Sequence, residues 1–315
     1  MLNNILCWNA RGIMNQGTMD YLLLMFRSHD IDICAILEPK ADANSLQKLA
    51  RSLKMSGYLH CFPNNSHIWI LWKSGLQISL ANHSSQHISV EVTCDRSDDL
   101  LVCSFVYASI DHRIRAKLWD ELKMISQQIQ KPWIIVGDFN AITSWSEKRG
   151  GNRKLGRSIT DFNDFMANVR VSDAGYTGSP FTWSNNQSGN SRIWLRLDRA
   201  LLNGQAMAAL QQFQVIHLAR CASDHCPLLL CLKGAKNQLG RSFKFMGVWL
   251  EHKDFFSVVK SAWQRNDHPN PLINIAIKLK QTRSDLKRWN WECFGDVSKR
   301  IRRVSAEIEE METHL

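Results

Sequence analysis

Residues 133–140 read Trp133-Ile134-Ile135-Val136-Gly137-Asp138-Phe139-Asn140, and the fold turns on how this stretch is parsed. Four consecutive apolar residues, two of them Ile, fit a strand buried on both faces. Gly137 then breaks the run and frees the backbone to turn. Asp138 and Asn140 follow, so a carboxylate and a carboxamide emerge at the C-terminal end of the strand, where α/β folds bind ligands. Alone, the stretch is equally an Asp/Asn turn. The neighbouring segments decide between the two.

A helix over 113–130, with Leu118, Leu122, Ile125 and Ile129 at spacings of four, three and four, leads into residue 133. Further upstream, 4–8 and 32–37 read as strands with a helix at 19–26 between them. A second helix is expected at 46–53, and strands at 68–72, 88–93 and 100–107. Downstream comes a basic, glycine-rich loop at 145–157, then strand-like pieces at 181–184, 193–197, 213–218 and 227–232. Hairpins mixed with helical crossovers predict two sheets covered by helices. After residue 233 a polar linker opens a helical region, with helices expected at 254–263, 272–291 and 297–311. Gly295-Asp296 separates the last two as a stop and a fresh cap. The expected division is therefore 1–233 and a basic helical 234–315, which carries 15 Lys and Arg against 10 Asp and Glu.

A chain of 315 residues can bury a full core. Its net charge of +10 favours an acidic partner such as nucleic acid. No apolar run approaches a membrane span, so no membrane partner is expected. The first strand begins too close to Met1 for a secretory signal. Several of the nine scattered cysteines, such as Cys7, Cys34 and Cys103, sit in apolar runs as small hydrophobes of a reducing compartment. The expectation is an intracellular protein, nuclear or cytoplasmic. Cys221, Cys226 and Cys231 near His217 and His225 lack the short spacing of a zinc knuckle, and 227–230 reads as strand.

Five polar motifs sit at the edges of apolar runs: Asn9 and Arg11; Glu38 before Pro39; Asp138 and Asn140; Asp198 within Arg196-Leu197-Asp198-Arg199; and Asp224 with His225. Each has an innocent alternative. Strand-end Asn and Asp make turns, and the Arg196–Arg199 run can form a surface ion-pair ladder. As a set, they combine hard oxygen ligands, carboxamides and one His–carboxylate candidate. That assortment suits phosphodiester hydrolysis with Mg²⁺, a carboxylate to activate water, and a His to stabilise the transition state.

The wording and order of the motifs carry a resemblance. Trp8-Asn9-Ala10-Arg11-Gly12, Leu37-Glu38-Pro39-Lys40, Val106-Tyr107-Ala108-Ser109, Gly137-Asp138-Phe139-Asn140, Arg196-Leu197-Asp198-Arg199 and Ser223-Asp224-His225-Cys226-Pro227-Leu228 are six such stretches. Together they resemble the endonuclease/exonuclease/phosphatase superfamily, which includes DNase I and exonuclease III. More narrowly, the chain is similar to the endonuclease domain of plant LINE-type, non-LTR retrotransposons. The stretches from Gly175 to Asn186 and from Phe243 to Leu250 add to that narrower likeness.

The resemblance implies a four-layer α/β/β/α sandwich, two mixed sheets face to face with flanking helices, plus a C-terminal helical extension. It implies Mg²⁺, with Mn²⁺ as a substitute, held by Glu38 and Asp224 with Asn9 close by. Asp138 would activate water, assisted by Asn140. His225, oriented by Asp198, would contact the scissile phosphate, with Tyr107 near it. Double-stranded DNA would be gripped by Arg11, the basic loop with Arg149 and Arg153, and a hairpin with Phe181 and Trp183. Tyr107 reads equally as an ordinary strand tyrosine, and Phe181 and Trp183 as core. Family members of the retrotransposon type continue into a reverse transcriptase, whose Tyr-x-Asp-Asp signature this chain lacks. The expected activity is DNA nicking. A non-catalytic nucleic-acid-binding remnant and a small-molecule phosphatase are the alternatives.

Overall fold

The computed structural model describes residues 2–61, 65–94, 97–152, 156–210, 212–232, 245, 247–264 and 268–294. Arg153, Asp296 and the helix expected at 297–311 lie outside them. The chain divides into two compact units, Met1–Lys236 and Asn237–Leu315.

In the first unit the strands run β1 Asn4–Asn9, β2 Ile33–Leu37, β3 Gly57–Cys61, β4 Asn65–Trp72, β5 Leu76–His83, β6 His87–Cys94, β7 Ser97–Tyr107 and β8 Trp133–Asp138. They continue as β9 Lys148–Arg149, β10 Val171–Asp173, β11 Thr177–Gly178, β12 Trp183–Ser184, β13 Trp194–Leu195, β14 Asp198–Asn203, β15 Gln214–His217 and β16 Leu228–Cys231. The helices are α1 Gln16–Ser28, α2 Ala43–Ser52, α3 His112–Gln128, α4 Gly156–Val169 and α5 Gly204–Ala209. One sheet has the order β11-β15-β16-β1-β2-β4-β3, the second β10-β14-β8-β7-β6-β5, and a small third sheet β12-β13-β9. β1 and β2 run parallel, as do β7 and β8. Parallel neighbours need a crossover, and α1 and α3 supply it.

Alternation along each strand builds the layers. Ile134 and Val136 of β8 join Ile5, Cys7, Ile33, Ala35, Val90 and Phe105 in a core shared by the two large sheets. Trp133 and Ile135 face the opposite way, packing with Leu118, Trp119 and Leu122 of α3 and Phe162 and Phe165 of α4. Trp119 stacks on Phe165 with ring centroids 4.5 Å apart. On the outer face of the first sheet, Trp8 meets Tyr21 of α1 edge to face at 5.7 Å. The apolar run of β8 is thus buried on both sides, and the architecture is a four-layer α/β/β/α sandwich. Asp111 caps α3 by accepting from the Arg113 N–H at 2.9 Å.

Several elements depart from the sequence expectation, among them β3 and β5, which it did not include. α4 begins at Gly156, inside the expected loop, and its Phe162, Phe165 and Val169 stripe carries it onto the second sheet. The strand expected at 193–197 is observed only as β13, Trp194–Leu195, with a break before β14 begins at Asp198. The break falls where the Leu197 and Asp198 N–H groups both donate to Thr182 Oγ1 at 3.0 Å instead of to a neighbouring strand.

The second unit contains a 3-10 turn at Gly247–Glu251, α6 Phe255–Trp263 and α7 Pro271–Phe294. Trp249, Phe255, Leu286 and Trp289 form its core, and the Trp249 indole donates to Asn290 at 2.8 Å. Among the described residues no helix is long and apolar enough to cross a membrane.

Candidate active site

Strand direction gathers the polar residues. Asn9 ends β1, Tyr107 ends β7, Asp138 ends β8 and Glu38 follows β2 at once. β14 and β16 run antiparallel to β8 and β1, so Asp198 at the start of β14 and His225 just before β16 arrive at the same end. In register, Asp198 lies directly across from Asp138. Gly137 makes the turn possible: its φ is +148°, and a Cβ there would sit 2.0 Å from the Val106 carbonyl oxygen. Arg11, Glu38 and Asn140 adopt left-handed φ values of 51°, 47° and 45°, a concentration of backbone strain at the strand exits.

Two buried carboxylates facing each other across a ladder repel unless a cation intervenes. His225 intervenes, with Nδ1 2.9 Å from Asp198 Oδ2 and Nε2 3.7 Å from Asp138 Oδ2. Burial opposes a charged imidazole, but the Asp198 and Asp138 carboxylates outweigh it and push His225 up to about 9. Burial likewise pushes the Asp138 carboxyl up to about 6, against the pull of His225. His225 Nε2 has no hydrogen-bond partner, although it is fully buried. Asn9 Nδ2 links this floor to the rim, donating to both Asp138 Oδ2 and Glu38 Oε1 at 3.1 Å. The Asn140 N–H donates to Asp138 Oδ1 at 2.9 Å, while its side chain donates to the Ala108 carbonyl at 2.7 Å.

The rim is paired differently. Arg11 Nε lies 3.4 Å from Glu38 Oε1 and 3.2 Å from Asp224 Oδ1, and Lys40 Nζ lies 3.4 Å from Glu38 Oε2. Burial works to raise the Glu38 carboxyl, but hydrogen bonds from Asn9 and Tyr107 and the Arg11 charge hold it below the usual carboxylate range. Burial and the Glu38 hydrogen bond raise the Tyr107 hydroxyl in turn. Two groups of side chains offer hard ligands for a cation. One is Glu38 with Asp224. The other is Asp138, Asp198 and His225, whose ligating atoms lie within 4.8 Å of one another. The first suits an exchangeable ion better, because in the second His225 Nδ1 is already engaged with Asp198 and the imidazole carries the positive charge between the two carboxylates.

Not every residue singled out in the sequence enters the pocket. Arg149 is exposed on β9, which pairs with β13. Phe181 is half-buried with its ring 6.3 Å from Trp194. Trp183 is half-buried, and its indole donates to Asp224 Oδ2 at 2.9 Å, so it supports the rim carboxylate. The Arg196–Arg199 run is no surface ladder. Both arginines are buried and share Glu147 and Asp173 through four contacts of 2.8–2.9 Å. This box ties β14 to the 3-10 turn at Trp145–Glu147 and to β10. Four further residues were missed. Thr182 fixes the approach to Asp198, Ser223 Oγ donates to the Asn9 carbonyl at 2.8 Å, and the Arg220 guanidinium lies over Trp194, 4.8 Å from the indole centroid. The Phe181–Ser184 run and the Ser223-Asp224 pair were visible signals for the first two. Nothing local marked Arg220.

This chain belongs to the Endonuclease/Exonuclease/phosphatase family, whose pattern matches residues 6–225. Among solved structures, the endonuclease domain of TRAS1, a telomere-specific non-LTR retrotransposon, is 14% identical with a TM-score of 0.56, covering 74% of this chain and 100% of that domain. An AP endonuclease from Archaeoglobus fulgidus is 11% identical with a TM-score of 0.56, covering 74% and 99%. The 3′ phosphatase NExo from Neisseria, solved with product DNA hairpin, is 15% identical with a TM-score of 0.52, covering 73% and 99%. At these identities the likeness is one of fold. No curated protein sequence matches the chain.

Proposed function

We propose that this chain is a Mg²⁺-dependent endonuclease that nicks double-stranded DNA and leaves a 3′-hydroxyl, and that it derives from a plant LINE-type non-LTR retrotransposon. The observation that carries the reading is the continuous run of contacts Glu38–Asn9–Asp138–His225–Asp198 at one end of the sandwich. The donor set fits a hard divalent cation: Glu38 and Asp224 present carboxylate oxygens to a shared position where the Arg11 guanidinium stands in as a cation. Magnesium held by Glu38 and Asp224, with Asn9 beside it and Mn²⁺ as a substitute, would polarise a phosphoryl oxygen and offset charge on the leaving oxygen.

The protein's own groups divide the remaining work. Asp138, with its carboxyl pushed up to about 6, is poised to take the proton from an attacking water near neutral pH. Asn9 and the Asn140 N–H hold its two oxygens in place. His225, kept protonated by Asp198 and Asp138, would offset the charge that builds on the scissile phosphate, Nε2 being its nitrogen without a hydrogen-bond partner. The Tyr107 hydroxyl orients Glu38. At the neighbouring three-stranded sheet, Arg149 and Trp194, with Phe181, Arg192 and Arg220 packed against the Trp194 ring, make a basic, aromatic surface suited to the DNA backbone. The second unit is the basic helical connector that would lead into a reverse transcriptase in the intact element. The retrotransposon origin draws support from the motif wording and from the TRAS1 fold likeness.

Nicking of supercoiled plasmid by the full chain tests the proposal. Mg²⁺-dependent nicking that EDTA stops, and that Asp138→Ala and His225→Ala both abolish, is the expected result. A chain that binds duplex DNA but nicks it at no Mg²⁺ concentration is a binding remnant. Turnover of small phosphoesters in place of DNA would mark a phosphatase.

A further inference from the structure

Arg11 lies between the Glu38 and Asp224 carboxylates. It follows β1 by two residues in a left-handed backbone (φ 51°), with its N–H donating to Asn9 Oδ1 at 3.3 Å. The next N–H, of Gly12, donates to the Glu38 carbonyl at 2.8 Å. This turn locks the ends of β1 and β2 together and delivers the guanidinium between two carboxylates from distant parts of the chain. Those carboxylates do not need Arg11 to stay where they are. Glu38 is held by Asn9 and Tyr107, and Asp224 by the Trp183 indole at 2.9 Å. What Arg11 supplies is charge. Its side chain is also 39% exposed, so it has an open route out toward solvent.

A divalent cation bound to Glu38 and Asp224 needs the same oxygens that Arg11 holds. We propose that Arg11 is a resident competitor of the divalent cation: it neutralises Glu38 and Asp224 in the free protein, and the arriving ion displaces it onto the DNA phosphate. Ion loading and DNA grip are then coupled through one side chain, and by thermodynamic reciprocity DNA that captures Arg11 tightens the ion in turn. The inference rests on reading Glu38 and Asp224 as ion ligands.

Mn²⁺ titration of the full chain without DNA, followed by electron paramagnetic resonance, reads the competition directly. Arg11→Met is compared with wild type and with Arg113→Met, which removes an equal charge from the exposed Arg113–Asp111 pair on α3. Removing a unit charge a few ångströms from the ion is expected to tighten Mn²⁺ about tenfold in Arg11→Met and to leave Arg113→Met near wild type. With Mn²⁺ saturating, Arg11→Met should bind a short duplex more weakly, its salt slope smaller by about one. Thermal melting confirms that each variant is folded. Mn²⁺ affinity in Arg11→Met equal to or weaker than in Arg113→Met overturns the competition while leaving the proposed nuclease standing. Absence of Mn²⁺ binding in wild type and in Arg11→Met alike overturns both. Wild type that binds Mn²⁺ but never nicks DNA removes the nuclease alone.

Discussion

The floor and the rim of the pocket solve the same electrostatic problem in opposite ways. On the floor, Asp138 and Asp198 share one imidazole, and all three side chains are at most 3% exposed. At the rim, Glu38 and Asp224 share a guanidinium and Glu38 also meets the Lys40 ammonium, on side chains 39% and 56% exposed. The floor is fixed because the His225 imidazole is buried between its two carboxylates and bound to one of them at 2.9 Å. The rim is adjustable because its counter-charges sit on long chains reaching in from solvent. Chemistry that needs fixed proton-handling groups and an exchangeable ion calls for this division.

Several substitutions can break or sharpen that contrast. Asp138→Ala should cost about 10³- to 10⁴-fold in single-turnover nicking, and raising Mg²⁺ should not restore it. Rescue by excess Mg²⁺ would place Asp138 with the rim. Arg199→Met would leave Glu147 and Asp173 sharing only Arg196, and should lower unfolding stability by about 3–5 kcal/mol in urea titration. A loss below about 1 kcal/mol would show that the box is wetter than its burial indicates.

His225→Ala should reduce nicking by about 10²- to 10³-fold. The same residue gives a pH test. Its folded pKa lies above its unfolded value of 6.5, so its stabilising contribution is complete below about 6.5 and fades as pH rises through about 9. Wild-type melting temperature should therefore fall across that window, and the His225→Ala variant should lack that component. A parallel decline in both would assign it to other groups. Glu38→Gln is expected to cost about a hundredfold at low Mg²⁺ and to recover as Mg²⁺ rises, the behaviour of a rim group. The smallest effect belongs to Arg220→Ala, which should weaken duplex binding about threefold to tenfold and flatten its salt dependence without altering single-turnover chemistry on bound DNA.

How much of this was legible depended on whether the information was local. The β8 run, the α3 periodicity and the strand-end polar residues each fit inside a short window. They point to the layered fold and to the residues that gather at its end. α4 was legible and overlooked: Phe162, Phe165 and Val169 lie on one helical face, but the glycine-rich, basic stretch before them masked the start. The Arg196–Arg199 box was not legible. Alternating charge in a strand is usually solvated, and the partners Glu147 and Asp173 are separated from it by 23 to 52 residues. The cross-strand facing of Asp138 and Asp198 also depends on register, which no single segment contains. Trp183 was singled out for its ring, but its indole N–H bond to Asp224, 41 residues away, was not legible.

Because Asp198 is opposed to Asp138 by ladder pairing, its position is inherited from five consecutive pairs running from Asp198–Asp138 to Leu202–Ile134. A slip of one residue would turn every one of those side chains to the opposite face of the sheet. Warming therefore has no gradual way to loosen these two acids. Heat inactivation of the enzyme and melting of its central strands should trace a single curve, with no temperature at which an intact sandwich carries a disordered floor.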